Sequence, residues 1–99
     1  MQKDKEKKKK KLAAALKSRF MLVPHMPAQV ASYLLDVGYT DVFQLRGRAA
    51  ESIFEEIKKL DFLAEAKIVL PALRLAIYFS ENSENPDRRL LNLQAWAEA

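Results

Sequence analysis

Side chains that commonly perform catalysis are scarce in this sequence. It contains one histidine, His25, and no cysteine, which excludes disulfides, thiolate metal sites and thiol catalysis. No serine, histidine and acid, and no pair of carboxylates, occur at spacings that predict a catalytic group. A lone histidine between Pro24 and Pro27 cannot hold a metal ion by itself. We therefore expect a protein without enzymatic activity, metal or cofactor.

One charged side chain, Arg74, lies in a stretch from residue 68 to residue 79 that is otherwise apolar or aromatic up to Phe79. A buried guanidinium must reach a carboxylate, backbone carbonyls or water, because burying it unpaired is costly. We expect a structural role, with Asp61, Asp87 or a helix C-terminus as the partner. The alternative is an arginine that binds an anion.

Basic side chains are concentrated at the start of the chain. The net charge is +4, yet residues 1–11 carry seven lysines against two acids, a net charge of +5. Residues 12–99 carry ten Lys or Arg against eleven Asp or Glu, a net charge of −1. A lysine run binds polyanions such as nucleic acid, or serves only solubility. We predict a disordered basic tail over 1–11 and one folded domain over 12–99.

The composition favours one small globular domain. Hydrophobic residues make up 49% of the chain, which is enough for a single core. The apolar segment over 12–16 is too short for a secretory signal. No apolar stretch approaches the ~20 residues that a membrane span requires. We expect a cytoplasmic protein that does not bind membranes.

The elements that must position these side chains all have helical patterns. We predict a first helix over 10–20, with Leu12, Ala15, Leu16 and either Phe20 or the aliphatic stem of Arg19 on one face. The prolines then predict a tight connection over 22–27. A second helix, with an apolar stripe from Val30 to Leu35, ends at Gly38, where a glycine suits a left-handed C′ position.

Three or four further helices complete the predicted bundle. Thr40 or Asp41 is expected to cap a short helix through Leu45, and Gly47 ends it. An amphipathic helix follows over 49–60. The apolar stretch over 63–79 predicts a central helix, which Pro71 kinks or splits. A last helix follows Asn85-Pro86-Asp87 and runs to about Trp96.

The turn VPHMP between the first two predicted helices resembles the hairpin of a helix-hairpin-helix DNA-binding domain. In that family the hairpin usually reads apolar, Pro, Gly, apolar, Gly, and an alanine packs the following helix. Val23, Pro24, Met26 and Ala31 match this frame. The later segment LLDVGYTDVFQLRGRAAESIFEEI resembles the family's next stretch, in which a Gly-apolar turn leads to a short capped helix and an Arg-Gly. The resemblance implies a compact, SAM-domain-like all-α bundle of about five to six helices.

The end of the chain is similar to one small group of such proteins, the pathogenicity-locus proteins, some of which are labelled mitomycin resistance proteins. Their signature has an arginine in an apolar helix that ends in aromatics, followed by Asn-Pro-Asp, paired leucines and a tryptophan. The matching residues are Arg74, Tyr78, Phe79, Asn85, Pro86, Asp87, Leu90, Leu91 and Trp96. The resemblance covers roughly residues 12 to 96. The resistance label would imply binding of a small molecule or of damaged DNA, and these residues do not themselves indicate a pocket for it.

The chain departs from the family at the hairpin. His25 and Pro27 replace the two glycines, which let the backbone approach a phosphate closely. Proline offers no N–H, although a protonated histidine supplies a cation instead. Gln29 stands where a basic residue is often found, and the group's central-helix cysteines are absent.

Together, the resemblance and the lysine run predict an accessory protein that binds DNA non-specifically through its phosphates. The predicted contact residues are Lys7, Lys8, Lys9, Lys10, Lys11, Lys17, Arg19, His25 and Gln29. The alternative is a protein-interaction module on the same scaffold that no longer binds DNA. Its partner would meet an exposed apolar surface at the hairpin, formed by Val23, Met26 and Tyr39.

Overall fold

The computed structural model describes residues 2–97, with side chains from residue 9 onward. The α-helices are α1 (Gln2–Leu16), α2 (Ala28–Asp36), α3 (Ala50–Leu60) and α4 (Ala66–Glu81). The 3₁₀ helices are Arg19–Leu22, Val42–Leu45, Arg88–Leu90 and Gln94–Trp96. The all-α prediction is therefore confirmed for the described residues, which form a compact bundle around these four α-helices.

The core is centred on α4, which packs against α3, the second 3₁₀ helix and the C-terminal segment. We expected Pro71 to kink or divide this element, but one helix runs from Ala66 to Glu81. Pro71 lies in its second turn, where proline removes the backbone hydrogen bond that its own nitrogen would donate. Its ring is buried in the core, and the packing of that ring offsets the lost hydrogen bond.

The first helix begins earlier than predicted and packs through a smaller residue. Helical backbone runs from Gln2 through the lysine run, which we expected to be a disordered tail; lysine, alanine and leucine all favour helix. The proposed domain boundary at residue 12 stays a prediction. Ala15 is fully buried, whereas Leu12 and Leu16 are exposed, contrary to the predicted face. A methyl group at Ala15 lets α1 and α2 approach closely, and this leaves the longer leucines at the edge of the contact.

Two of the predicted helices are 3₁₀ turns instead of α-helices. In the second 3₁₀ helix, the Gln44 side chain accepts hydrogen bonds from the N–H groups of Thr40 and Asp41, at 2.7 and 3.0 Å. The last predicted helix is divided into two turns of three residues. Runs this short cannot complete the i to i−4 hydrogen bonds of an α-helix, so 3₁₀ geometry is preferred.

Gly38 ends α2 as predicted, with a φ of 100°. The Tyr39 N–H donates to the Leu34 carbonyl and the Gly38 N–H to the Leu35 carbonyl, at 2.9 and 3.1 Å. This pair of hydrogen bonds is a Schellman motif, which requires the left-handed residue that glycine provides. Within residues 2–97, no helix is long and apolar enough to cross a membrane.

Candidate nucleic-acid interface

The segment Val23–Met26 forms a tight turn between the first 3₁₀ helix and α2. The Met26 N–H donates to the Val23 carbonyl at 3.2 Å, with Pro24 second in the turn and His25 third. His25 has a φ of 61° and is the one non-glycine residue with positive φ among those described. Proline second and positive φ third define a type II turn. His25 thus adopts the backbone conformation for which glycine is normally used.

The apolar side chains of this turn belong to the core. Val23 and Met26 are buried, and Ala31 on the first turns of α2 is fully buried. The predicted exposed surface of Val23, Met26 and Tyr39 is therefore wrong, since Tyr39 too is partly buried against the core. The turn exposes His25, and the neighbouring Leu22 is also exposed.

The N-terminus of α2 opens beside this turn. The N–H groups of Val30 and Ala31 both donate to the Pro27 carbonyl, at 3.0 and 3.1 Å. No hydrogen bond is formed by the N–H groups of Ala28 and Gln29 to any part of the chain that the structure describes. Amides at a helix N-terminus, together with the helix dipole, favour an anion such as a phosphate.

Three predicted contact residues lie close in sequence to the turn, and their side chains differ in which groups they already contact. Lys17 is exposed at the end of α1. Arg19 is exposed but forms an ion pair with Asp41, at 2.9 Å between Nε and Oδ2. Because the Arg19 side chain is largely exposed, this pair contributes little stability. The Gln29 amide points along α2, donating to the Tyr33 hydroxyl at 3.0 Å.

The predicted lysines of α1 lie away from the turn. Lys9, Lys10 and Lys11 are exposed, and Lys11 pairs with Asp36 at the far end of α2, at 3.6 Å. At a rise of about 1.5 Å per residue, Lys7 is ~14 Å along the axis from the end of α1. The side chains of Lys7 and Lys8 lie outside the described residues. The structure therefore separates the predicted contacts into a turn group and a helix group.

An open cleft of about 700 Å³ lies beside the helix group. Its floor is α2, and its walls are α1 and the C-terminal turn of α3. The lining residues are Lys11, Leu12, Gln29, Ser32, Tyr33, Asp36, Val37, Ile57, Leu60 and Asp61. Because the cleft is open to solvent and not a buried cavity, it does not indicate a small-molecule pocket.

Tyr33 joins the floor of the cleft to its α3 wall. Its hydroxyl donates to the Asp61 carboxylate at 2.9 Å. Burial, followed by the hydrogen bond to Asp61 and the charge of that carboxylate, raises the pKa of Tyr33 above its ordinary value. The neutral phenol therefore persists to higher pH than in an unfolded chain. Nothing in the sequence spacing of residues 33 and 61 predicted this pair.

Large apolar side chains are exposed next to the cleft. Leu60 on its wall is followed by Phe62 and Leu63, which are 77% and 72% exposed. Sequence analysis missed this surface. The available signal was the apolar pair in DFLAE, which stands at a helix boundary where polar turn residues are more usual.

Arg74 has a structural role in the described chain. Its guanidinium donates to the Trp96 carbonyl at 3.0 Å and pairs with Glu51 at 3.3 Å. A helix end was among the expected partners, and Trp96 ends the last 3₁₀ helix. The expected acids were wrong, because Asp61 bonds Tyr33 and Asp87 pairs with Arg89. Because Glu51 already pairs with its charge and the Trp96 carbonyl accepts one of its N–H groups, Arg74 is not a free anion site.

The described residues contain no group of three or more His, Asp or Glu that could hold a metal ion. Comparisons of the chain with protein-family models, with curated proteins and with solved structures find no match. Function must therefore be inferred from the site itself.

Proposed function

We propose that this chain is a cytoplasmic, non-catalytic helix-hairpin-helix module that binds DNA non-specifically through its phosphates. The observation that carries the proposal is the turn Val23–Met26, with His25 in the left-handed conformation. A hairpin of the family that the chain resembles has glycine at that position. Here the backbone adopts the left-handed conformation with histidine in its place. The burial of Val23, Met26 and Ala31 also agrees with the packing of such a hairpin.

Phosphate contact at the turn would use the α2 N-terminus and the adjoining cations. The N–H groups of Ala28 and Gln29 supply donors, Lys17 and Arg19 supply positive charge, and the His25 ring supplies a further N–H donor. Pro27 supplies no N–H, so this contact has fewer donors than a hairpin with two glycines. We expect weak binding through the turn alone.

The helix group would supply most of the binding free energy. Lysines carried by one helix hold their charges at fixed spacings along its surface, whereas a disordered tail would lose conformational entropy on binding. Each phosphate that is neutralised releases counterions, so affinity should fall steeply with salt. No base-reading side chain is proposed, and different duplex sequences should bind equally.

Fluorescence anisotropy with a short labelled duplex tests this proposal at low and at physiological salt. Lys9→Gln with Lys10→Gln removes exposed charge from the helix group, and Lys17→Gln removes it from the turn group. Lys67→Gln is the matched control, because Lys67 is exposed on the first turn of α4. We expect the first two variants to bind more weakly than the control. Absence of binding at low salt, or equal affinity of all three variants, would contradict the proposal.

The second candidate, a protein-interaction module, is favoured by one observation. The exposed apolar residues Leu60, Phe62 and Leu63 form a surface beside the cleft, and not at the hairpin as predicted. Exposed apolar surface of this kind commonly marks an interaction site. This surface is separate from the proposed DNA contacts at the turn.

A further inference from the structure

The floor of the cleft holds a serine hydroxyl for which the described residues supply no partner. Ser32 lines the cleft and is only 8% exposed. The hydrogen bonds between cleft side chains join Gln29, Tyr33 and Asp61, and none includes Ser32. No fully buried side-chain nitrogen or oxygen of the described residues lacks a partner, so this hydroxyl opens into the cleft. A nearly buried hydroxyl of this kind is satisfied at little cost when a ligand there bonds it.

Two carboxylates line the same cleft against one basic side chain. Asp61 accepts hydrogen bonds from the Tyr33 hydroxyl and from a backbone N–H, both of which are neutral donors. Asp36 lies 3.6 Å from Lys11, which is longer than the roughly 2.7–2.9 Å of a charge-assisted hydrogen bond. Lys58, on the turn of α3 before Asp61, donates to two backbone carbonyls. The lining therefore carries an excess of negative charge, which disfavours an anionic ligand.

The polar groups of the cleft are suited to a ligand that donates hydrogen bonds. Carboxylates accept and cannot donate, and a serine hydroxyl accepts as well as donates. Ser32 and Asp36 are four residues apart on α2, so their side chains lie on the same face of the helix. A guanidinium has several N–H groups in one plane and no acceptor, and it pairs with a carboxylate while bonding a neighbouring oxygen.

The rest of the lining is apolar and leaves room for a peptide. Leu12 on the α1 wall and Leu60 on the α3 wall are 42% and 63% exposed. An apolar side chain placed between these walls would bury both leucines, which is favourable. The cleft has a volume of about 700 Å³ and is open to solvent. An open groove admits a segment of a larger chain, whereas small-molecule sites usually enclose their ligand.

We propose that the cleft binds an arginine of a partner protein, in a segment where apolar residues such as leucine flank that arginine. The guanidinium pairs with Asp36 in place of Lys11 and bonds the Ser32 hydroxyl one turn away. This gives the protein-interaction role a partner of stated chemistry. It does not depend on DNA binding, because neither Asp36 nor Ser32 is among the proposed phosphate contacts. The affinity should be modest, since one charged anchor carries the contact.

Nuclear magnetic resonance of the full, isotope-labelled chain tests this proposal with the peptide acetyl-Leu-Arg-Leu-amide. We expect the largest changes in amide chemical shift on α2 and at the end of α3. The control peptide has citrulline in place of arginine, which keeps the shape of the side chain and removes its charge. It should bind at least about tenfold more weakly, because the charge-assisted hydrogen bond to Asp36 is lost.

Variants of the chain test which carboxylate pairs with the arginine. Asp36→Asn should weaken binding of the arginine peptide at least about threefold and reduce its advantage over the citrulline peptide. Asp41→Asn is the matched control: the Asp41 side chain is 26% exposed against 30% for Asp36, pairs with one basic residue and does not line the cleft. Lys11→Gln should tighten binding, because Lys11 competes for Asp36. Lys10→Gln, at an exposed lysine outside the cleft lining, should not.

Ser32→Ala should weaken binding of the arginine peptide by about threefold, because the guanidinium loses one hydrogen bond. The amide spectrum of each variant shows whether the fold is kept. Unchanged amide shifts at millimolar peptide would overturn the proposal, as would equal affinities of the arginine and citrulline peptides. Equal effects of Asp36→Asn and Asp41→Asn would also overturn it. If acetyl-arginine-amide alone bound as tightly as the longer peptide, the cleft would be a site for a small cation and the assignment to a partner protein would be wrong.

Discussion

The guanidinium of Arg74 donates a hydrogen bond to the backbone carbonyl of Trp96, across 3.0 Å. This contact joins the centre of α4 to the last turn of the described chain. The Trp96 ring lies 5.5 Å from the ring of Tyr78, and its indole N–H donates to the Leu90 carbonyl at 2.8 Å. The C-terminal segment, which has no α-helix of its own, is held to the body by these side chains.

Arg74→Met should lower the free energy of unfolding by about 1.5–3 kcal/mol, because a hydrogen bond from a charged group is lost at a mostly buried site. Urea unfolding followed by Trp96 fluorescence measures the change. The control is Arg88→Met, at an exposed position, which should cost no more than ~0.5 kcal/mol. Equal effects of the two variants would show that the Arg74 contact does not stabilise the fold.

Stability at alkaline pH should depend on Tyr33. Its pKa is raised in the folded state by burial and by Asp61. The folded state therefore retains its proton more strongly than the unfolded state, and stability is complete below the ordinary pKa of 10.0. As pH rises above that value, the unfolded state loses its proton first, and the stabilisation is lost.

Tyr33→Phe removes this titration, so its free energy of unfolding should fall less steeply above pH 10 than that of the unsubstituted chain. Urea unfolding at a series of alkaline pH values measures both slopes. Tyr39→Phe, at a tyrosine without this acidic partner, should retain the original slope. If Tyr33→Phe retained it as well, the titration of Tyr33 would not be the source of the slope.

Because His25 has a left-handed backbone conformation, the free energy of unfolding should depend on which residue occupies position 25. His25→Val should lower the free energy of unfolding by about 1–3 kcal/mol, because a β-branched side chain resists positive φ. His25→Gly removes the strain and should be at least as stable as the original chain. Thermal unfolding of the three proteins measures this order. A valine variant as stable as the glycine variant would show that positive φ at position 25 does not strain the backbone.

His25→Gly also tests how the turn contacts phosphate. If close backbone approach limits binding, the glycine variant should bind duplex DNA more tightly than the original chain. If the imidazole side chain is the contact, the same variant should bind more weakly. Anisotropy titrations of the two proteins separate these results, and unchanged affinity would exclude His25 from the contact.

The salt dependence of DNA binding should show how many lysines of α1 contact phosphates. For each phosphate contact removed, the slope of log affinity against log salt should become shallower by about 0.9 on duplex DNA. Lys9→Gln with Lys10→Gln should therefore reduce the slope by roughly 2, provided that both lysines touch phosphates. Lys67→Gln should leave the slope unchanged. A slope that none of these variants alters would place the contacts elsewhere.

Much of the local structure followed from sequence patterns. Gly38 ends α2 as predicted, because only a residue tolerant of positive φ suits that position. The apolar period over residues 49–60 predicted α3 closely. Two segments predicted as helices, residues 42–45 and 88–96, form 3₁₀ turns: the first has only four residues, and the second is interrupted between residue 90 and residue 94.

The candidate site was less predictable, since side-chain exposure depends on which helices pack together. Composition located the lysine run, and the prolines located the turn at Val23–Met26. Whether Met26 faced solvent or the core could not be read from its neighbours in sequence, and the structure buries it. The same holds for Arg74, whose partners are separated from it by 22 and 23 residues.

By itself, the sequence determined that the chain is helical, where its turns lie and how its charge is divided, because these properties follow from local backbone preferences and counts of side chains. Only the tertiary structure decided that α1 packs through Ala15, that Tyr33 meets Asp61, and that a cleft forms beside an exposed apolar turn. Those relationships arise when helices distant in sequence compete for the same core, and the sizes of their contacting side chains decide which residues are left at the surface.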